Sequence, residues 1–334
     1  MSESLRSVYP FAARPTAREW TRHAGLFLLT ALTATWAGLS LMAPEIPEPS
    51  VAEPAGPFGY LLFVPRYYVG WIASVAYYAY ANPSFIADGA KFAASLLSIL
   101  LAHEAGHYIA CRLYGVEATL PFFIPMPPPF MAGTLGAFIK IRSPIPSRRA
   151  LFDIGVAGPL AGFVVIIPVA LLGLLTAAPA PPPAPAPGAV VIAFNDPLLL
   201  RLLAWPFGLH DTNLALNPFL IAAWFGLLVT SLNLLPVGQL DGGHAAYAVF
   251  GARAHRLLGR AAFAGMVVLA PLGWLWHGVP SGFLYAVLLF VMLRIRHPQA
   301  TDESDPLGRT RRLVAAATLL VFILSFTPFP LAVK

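Results

Sequence analysis

Apolar residues in this chain come in long unbroken blocks, not in the alternation of a half-exposed surface. A bilayer core about 30 Å thick takes about 20 residues of helix to cross. Seven blocks reach or approach that length: 24–42, 92–111, 152–176, 217–236, 261–277, 281–294 and 313–330. The block 281–294 is short and is expected to borrow flanking residues. An eighth stretch, 58–80, is apolar and aromatic but is interrupted by Pro65, Arg66, Tyr67 and Tyr68; it reads as half-inserted or interfacial. The pattern predicts an all-α polytopic membrane protein with about seven transmembrane helices.

Two segments depart from helix. Residues 177–189 are almost all alanine and proline; proline lacks a backbone donor and clashes with the preceding turn, so this is a stiff polyproline-type linker. Residues 117–145 carry Pro121, Pro125 and Pro127 to Pro129, then Gly133-Thr134-Leu135-Gly136-Ala137-Phe138-Ile139-Lys140-Ile141. Glycines and β-branched residues there suit a strand or hairpin. Irregular backbone at membrane depth is tolerated only where protein buries it or it lines a wet cavity, which places this membrane-associated β-hairpin beside a functional site. The chain then divides into an N-terminal tail, first anchor and interfacial segment (1–91), a three-span core holding the hairpin and the linker (92–250), and C-terminal accessory helices (251–334).

Composition agrees. Of 334 residues, 58% are hydrophobic and 11% charged, against about 25% charged in soluble domains. The net charge of +6 does not indicate nucleic acid, because the basic residues fall in short clusters between apolar blocks, as they do when a bilayer fixes orientation. The basic clusters 1–23, 140–149, 253–260 and 294–312 lie inside and the acidic connection 43–57 outside if seven spans run from an inner N-terminus to an outer C-terminus. A full span at 58–80 would break that parity. Residues 25–43 are apolar for longer than a signal-peptide core and lack a clean cleavage site, so they read as a retained anchor. Glu3 and Glu19 among the N-terminal arginines argue against an organelle transit peptide, and the expected location is a prokaryotic inner (plasma) membrane. The single cysteine, Cys111, excludes an intramolecular disulfide.

The candidate chemistry lies in Leu101-Ala102-His103-Glu104-Ala105-Gly106-His107. On a helix, positions i and i+4 sit about 40° apart around the axis and about 6 Å apart along it. His103 and His107 can therefore offer two imidazole nitrogens to one Zn²⁺, with Glu104 beside them as general base for a metal-bound water. The upstream flank, 92–102, is apolar on every side, unlike the amphipathic helix of a soluble protease. In the orientation above, this helix runs from outside to inside and places the zinc nearer the cytoplasmic side.

A catalytic zinc usually takes three protein ligands. A third histidine six residues after His107 is ruled out by Leu113, Glu117 is too close, and no other glutamate occurs before Glu303. Asp153, Asp196, Asp211 and Asp241 are left. Asp241 stands apart, in Asn233-Leu234-Leu235-Pro236-Val237-Gly238-Gln239-Leu240-Asp241-Gly242-Gly243-His244 at the end of the block 217–236. Pro236 stops the helix there, and Gly238, Gly242 and Gly243 permit a turn that folds the chain back. An aspartate at bilayer depth costs about 2.5–3.5 kcal/mol unless compensated, and a divalent cation compensates best. The alternative is an aspartate facing cytoplasmic water at a helix end.

The His-Glu-x-x-His motif in an apolar helix, joined to Asn-x-x-Pro-x-x-x-x-Asp-Gly far downstream, resembles the site-2 protease family of intramembrane zinc metalloproteases. Ala157-Gly158-Pro159-Leu160-Ala161-Gly162 matches the same family. The stretch Gly133–Phe163 resembles its bacterial and chloroplast members lacking a PDZ domain. The resemblance covers about residues 90–250. It implies that His103, His107 and Asp241 bind one zinc per chain, that Glu104 is the base and that Asn233 helps hold the substrate backbone. It further implies a membrane-spanning protein as substrate. Gly133, Thr134, Leu135 and Gly136 are expected to bind substrate, the strand near 134–142 pairing with an unwound segment by β-addition.

Other readings stand beside these. Asn233 can instead bond between helices, and His244 either contacts substrate or caps the turn. Cys111 reads as a small core residue, Asp153 as a helix-start charge beside Arg148 and Arg149, and His210, Asp211 and His277 as interfacial. The competing class is a non-proteolytic metal-binding membrane protein, either a transporter or a substrate-binding scaffold. A transporter needs ionisable residues spread over several spans, whereas here they concentrate at 103–107 and 241; a scaffold has no need of Glu104.

Overall fold

The computed structural model describes residues 15–333 except 44, 45, 48, 53, 55, 128–131, 181–191, 210, 211, 213, 296, 299, 303 and 305. Most of the Pro/Ala linker, His210 and Asp211 therefore lie outside the described residues. Nine α-helices are present among those described: α1 (Ala17–Met42), α2 (Tyr60–Ala81), α3 (Pro83–Leu113), α4 (Arg148–Leu175), α5 (Leu198–Ala204), α6 (Pro218–Asn233), α7 (Asp241–His277), α8 (Ser281–Arg294) and α9 (Arg309–Ser325). Four of them, α1, α3, α4 and α7, are long and apolar enough to cross a membrane. At 16 residues, α6 is about 24 Å long.

Local chemistry accounts for the helix starts. Thr16 and Glu19 form a capping box on α1, satisfying two orphan donors at once. Ser147 caps α4. Asn217 caps α6 through Oδ1, while its Nδ2 donates to Thr176 at the end of α4, tying the two helices together where they meet.

Three features refine the sequence expectation. The segment 58–80 is helical through Pro65, a 3-10 turn at Pro57–Gly59 running into the α-helix Tyr60–Ala81; the proline is the sixth residue of that α-helix and leaves the Leu61 carbonyl without its i+4 donor. The block 261–277 lies in the second of two helices that meet at Gly251, φ 80° and ψ 175°, within Asp241–His277. Gly242 and Gly243 do not form the turn; they lie in the first turn of α7. A side chain on Gly242 would strike the carbonyl of Leu234, and one on Gly243 that of Gly238. Of the three glycines only Gly238 adopts a left-handed conformation, φ 55°.

The core is built by α3, α4 and α6. Phe92, Leu96, Ile99 and Leu100 of α3 pack with Ile166, Val169 and Ala170 of α4 and with Ala222, Ala223, Trp224 and Leu227 of α6. Without a hydrophobic drive between helices in lipid, such packing relies on small residues that let backbones approach. A side chain on Gly226 would come within 3.1 Å of Ile99 and Ile166, and Gly106 sits against the backbone of Ala157.

Two short antiparallel sheets flank this core. Strand β1 (Phe122–Pro125) pairs with β2 (Thr134–Phe138), and the ladder continues through Thr119 N–H to Lys140 O at 3.0 Å and Arg142 N–H to Glu117 O at 2.7 Å. The expected hairpin is present. Helix α1 holds it at three points: His23 Nδ1 to Pro121 O at 2.9 Å, Thr33 Oγ1 to Gly133 O at 2.7 Å, and the Arg142–Glu19 ion pair at 3.2 Å. Strand β3 (Ile192–Phe194) pairs with β4 (Leu331–Val333), bringing the C-terminus back to the core. Asp153 is not paired with Arg148 or Arg149; its carboxylate holds Arg311 of α9 at 2.7 Å and the hydroxyl of Tyr114. Burial and then this carboxylate push the Tyr114 phenol above its usual range.

Candidate metal centre

Helix α3 places His103 and His107 one turn apart on the face turned toward α4 and the start of α7, and both are buried. Their Nε2 atoms lie 3.1 Å apart. Asp241, the first residue of α7, directs Oδ2 to His103 Nε2 at 3.2 Å and Oδ1 to His107 Nε2 at 3.3 Å. These three are the one group of His, Cys, Asp or Glu among the described residues whose ligand atoms come together in a metal-sized cluster. Asp153 and Asp196 are elsewhere, and Cys111 is a fully buried part of an apolar cluster with Val116, Leu151 and Ile154.

The hydrogen bonding shows why a cation belongs there. His107 Nδ1 lies 2.7 Å from the carbonyl oxygen of Ile154. A carbonyl can only accept, so Nδ1 carries the proton and the neutral ring presents a bare lone pair at Nε2. That lone pair faces a carboxylate oxygen and a second imidazole nitrogen. Acceptors converging in a buried place repel one another unless positive charge sits between them. Bonds of about 2.0–2.1 Å to a tetrahedral Zn²⁺ imply ligand atoms about 3.3 Å apart, close to the three separations of 3.1, 3.2 and 3.3 Å. Two nitrogens and a carboxylate also suit zinc's preferences.

Helix α4 shapes the pocket around the imidazoles. A side chain on Gly158 would occupy the His107 ring, and one on Gly162 would come within 3.3 Å of His103 Cβ. The matching glycines of Ala157-Gly158-Pro159-Leu160-Ala161-Gly162 are thus the notch in which the two histidines sit. Glu104 is buried, lines the same cavity and faces the backbone of Ile139.

That cavity, about 560 Å³, is lined by all four of these polar residues, by Asn233 and His244, and by the backbone stretch from Ala137 to Ile141. Asn233, the last residue of α6, has Nδ2 3.3 Å from His103 Nε2. The Gly133–Gly136 end of β2 is placed otherwise. Gly133 is pressed against Thr33 and Ala34 of α1, and Thr134 Oγ1 donates to Ile124 O across the hairpin at 2.9 Å. The part of the strand on the cavity is three to five residues further on. Lys140 and Arg142 use their backbone groups toward Thr119 and Glu117, so by alternation Ile139 and Ile141 present theirs to the cavity. Ser143, Gly155 and Pro298 also line it; the first two lie in the family-like stretch Gly133–Phe163, and nothing in its sequence surroundings marked Pro298. His277 packs near Phe329, away from this site.

Comparison with known proteins bears on the same residues. The chain is 33% identical over 251 residues to a rice (Oryza sativa subsp. japonica) protein named "Probable zinc metalloprotease EGY1, chloroplastic", covering 74% of this chain and 42% of the relative. It is 30% identical over 250 residues to the Arabidopsis thaliana protein of that name, covering 73% and 44%. It is 26% identical over 260 residues to "Probable zinc metalloprotease EGY3, chloroplastic" of Oryza sativa subsp. indica, covering 73% and 43%. The chain spans less than half the length of these curated relatives. No solved structure matches it. The match to Peptidase family M50 runs over residues 91–272, more than half of the chain and all of the metal centre, and the chain belongs to that family.

Proposed function

We propose that this chain is a zinc-dependent intramembrane endopeptidase that hydrolyses peptide bonds in or near transmembrane segments of membrane proteins. The observation that carries the reading is the meeting of His103, His107 and Asp241 beside a buried Glu104 at the head of a cavity edged by exposed strand backbone.

His103, His107 and Asp241 hold one Zn²⁺ per chain. Bound zinc lowers the pKa of its water toward about 7 and polarises a carbonyl. Glu104 accepts a proton at its carboxylate and returns it to the leaving amide nitrogen. Its burial keeps bulk water from competing for that proton. A helical peptide bond is shielded by its own hydrogen bonds, so a membrane-spanning substrate unwinds first. The open edge at Ala137–Ile141 receives the unwound segment by β-addition, and Gly133–Gly136 support that edge through α1. Asn233 donates to a substrate carbonyl from the opposite wall.

The catalytic core spans 92–250, with accessory helices on both sides making about seven spans. The chain is an integral membrane protein with the zinc nearer the cytoplasmic side of a prokaryotic-type inner membrane, and the basic clusters at 140–149, 253–260 and 294–312 support that orientation alone.

The decisive test is Glu104→Gln assayed for cleavage in membranes with bound zinc quantified alongside. General acid–base groups contribute about 10²–10⁴-fold, so cleavage falls by that factor while zinc stays. Unchanged cleavage eliminates the mechanism.

A further inference from the structure

Beyond the zinc ligands and Glu104, a further imidazole reaches the cavity, and it is held from an unexpected place. His244 lies one helical turn after Asp241, so both side chains leave α7 on the same side. It lines the cavity wall. Its Nδ1 is 2.9 Å from Nε2 of His297, 53 residues later in the connection between α8 and α9 and outside the family-matched region 91–272.

The support for this pair is extensive. The His297 ring stacks on Tyr247 at 4.3 Å with an interplanar angle of 8°, and His255 meets its edge at 4.8 Å. His255 Nε2 is itself tied to Gly238 O at 3.2 Å. Beside His297 the connection is pinned to the cavity rim by Thr301 N–H to Ile145 O at 2.9 Å and by Arg148 N–H to Asp302 O at 2.9 Å. On its other side His244 is pressed against Gly155, where any side chain would come within 2.8 Å of its Cβ. Burial, then the neighbouring His244 and His255, push His297 down to about 3, so its ring is neutral at pH 7.

His107 shows the use of such an arrangement: an engaged Nδ1 fixes the ring and commits Nε2 to the site. His244 repeats it, with His297 in place of the Ile154 carbonyl. Its Nε2 is the nitrogen left for the cavity.

We propose that His244 is a further substrate-contacting residue, hydrogen-bonding the backbone of the peptide beside the scissile bond through Nε2, and that His297 is its positioning residue. This deepens the protease reading and rests on it. The C-terminal connection thereby becomes part of the active site.

The test uses the full chain in detergent with zinc quantified, and as probe a synthetic single-span peptide with Asn-Gly in its apolar core. Asparagine carries an amide near the position of Nδ1, glutamine near that of Nε2. H244N therefore keeps the contact with His297 and loses the one into the cavity; H244Q does the reverse. A lost hydrogen bond to a reacting peptide corresponds to about tenfold to hundredfold in cleavage, expected for H244N, with a smaller fall for H244Q and zinc retained in both. H297A is expected to lower cleavage severalfold, with H297Q restoring it better than H297N. The reverse ranking, with H244N the more active, shows a purely structural ring and overturns the proposal, as does loss of zinc in either His244 variant. If the wild-type chain holds zinc but leaves the peptide intact, the protease reading fails, and this contact with it.

Discussion

Helices α2 and α4 are both strongly apolar, yet they are built for different neighbours. Helix α4 carries Gly155, Gly158, Gly162 and Gly173, and each meets a side chain of another helix where its own would be: His244, His107, His103 and Leu220. Helix α2 has one glycine, Gly70, and buries only Val75, while Leu61, Leu62, Tyr77 and Tyr80 are exposed. What separates a helix that shapes a site from one that leaves its faces exposed is the row of missing side chains, because between helices in lipid association rests on close packing.

That contrast can be broken in steps. The largest effect is expected at the proposed zinc site beside the glycine notch: Asp241→Ala leaves two imidazoles without their carboxylate, and both zinc content and cleavage are lost, read by elemental analysis of the purified protein. Glu104→Gln, described above, comes next because it spares the metal. Gly158→Ala places a methyl in the His107 ring; overpacking of this kind costs about 1–3 kcal/mol, and zinc affinity is expected to fall about 10–100-fold with the displaced ligand. Thermal stability and zinc titration measure the two effects separately. On α2, Tyr77→Ala removes a ring that is 70% exposed. A change within about 0.5 kcal/mol and unaltered cleavage are expected. A loss there as large as at Gly158 would show that α2 is packed against something beyond lipid and would erase the contrast.

The motif residues were legible in the sequence because their spacing lies within one helix. His103 and His107 share a face by helical geometry alone, and Asp241 stood out as an acid after a long apolar block. The hairpin too was visible in its prolines, glycines and β-branched residues. Less legible was which part of it faces the site. Gly133–Gly136 was expected to meet the substrate, but Gly133 is the landing point of α1, and the stretch lining the cavity begins at Ala137. The role of Gly242 and Gly243 was misleading for a similar reason. Glycine signals either a turn or a close approach, and only the neighbour at Leu234 and Gly238 tells which. Likewise Asp153 sat near Arg148 and Arg149 in sequence but chose Arg311, 158 residues away.

By itself, the sequence pointed to a membrane protein with His103 and His107 on one helix face beside Glu104, since that needs only apolar length, helical period and the chemistry of the side chains; Asp241 as their partner came from the family resemblance. The tertiary structure decided what closes around that site: the Ile154 carbonyl that sets the tautomer of His107, the strand edge at Ala137–Ile141, and the ring of His297 brought against His244. Each of these is a meeting of elements distant in the chain. Such meetings depend on which backbones can approach, and that is set by packing in three dimensions.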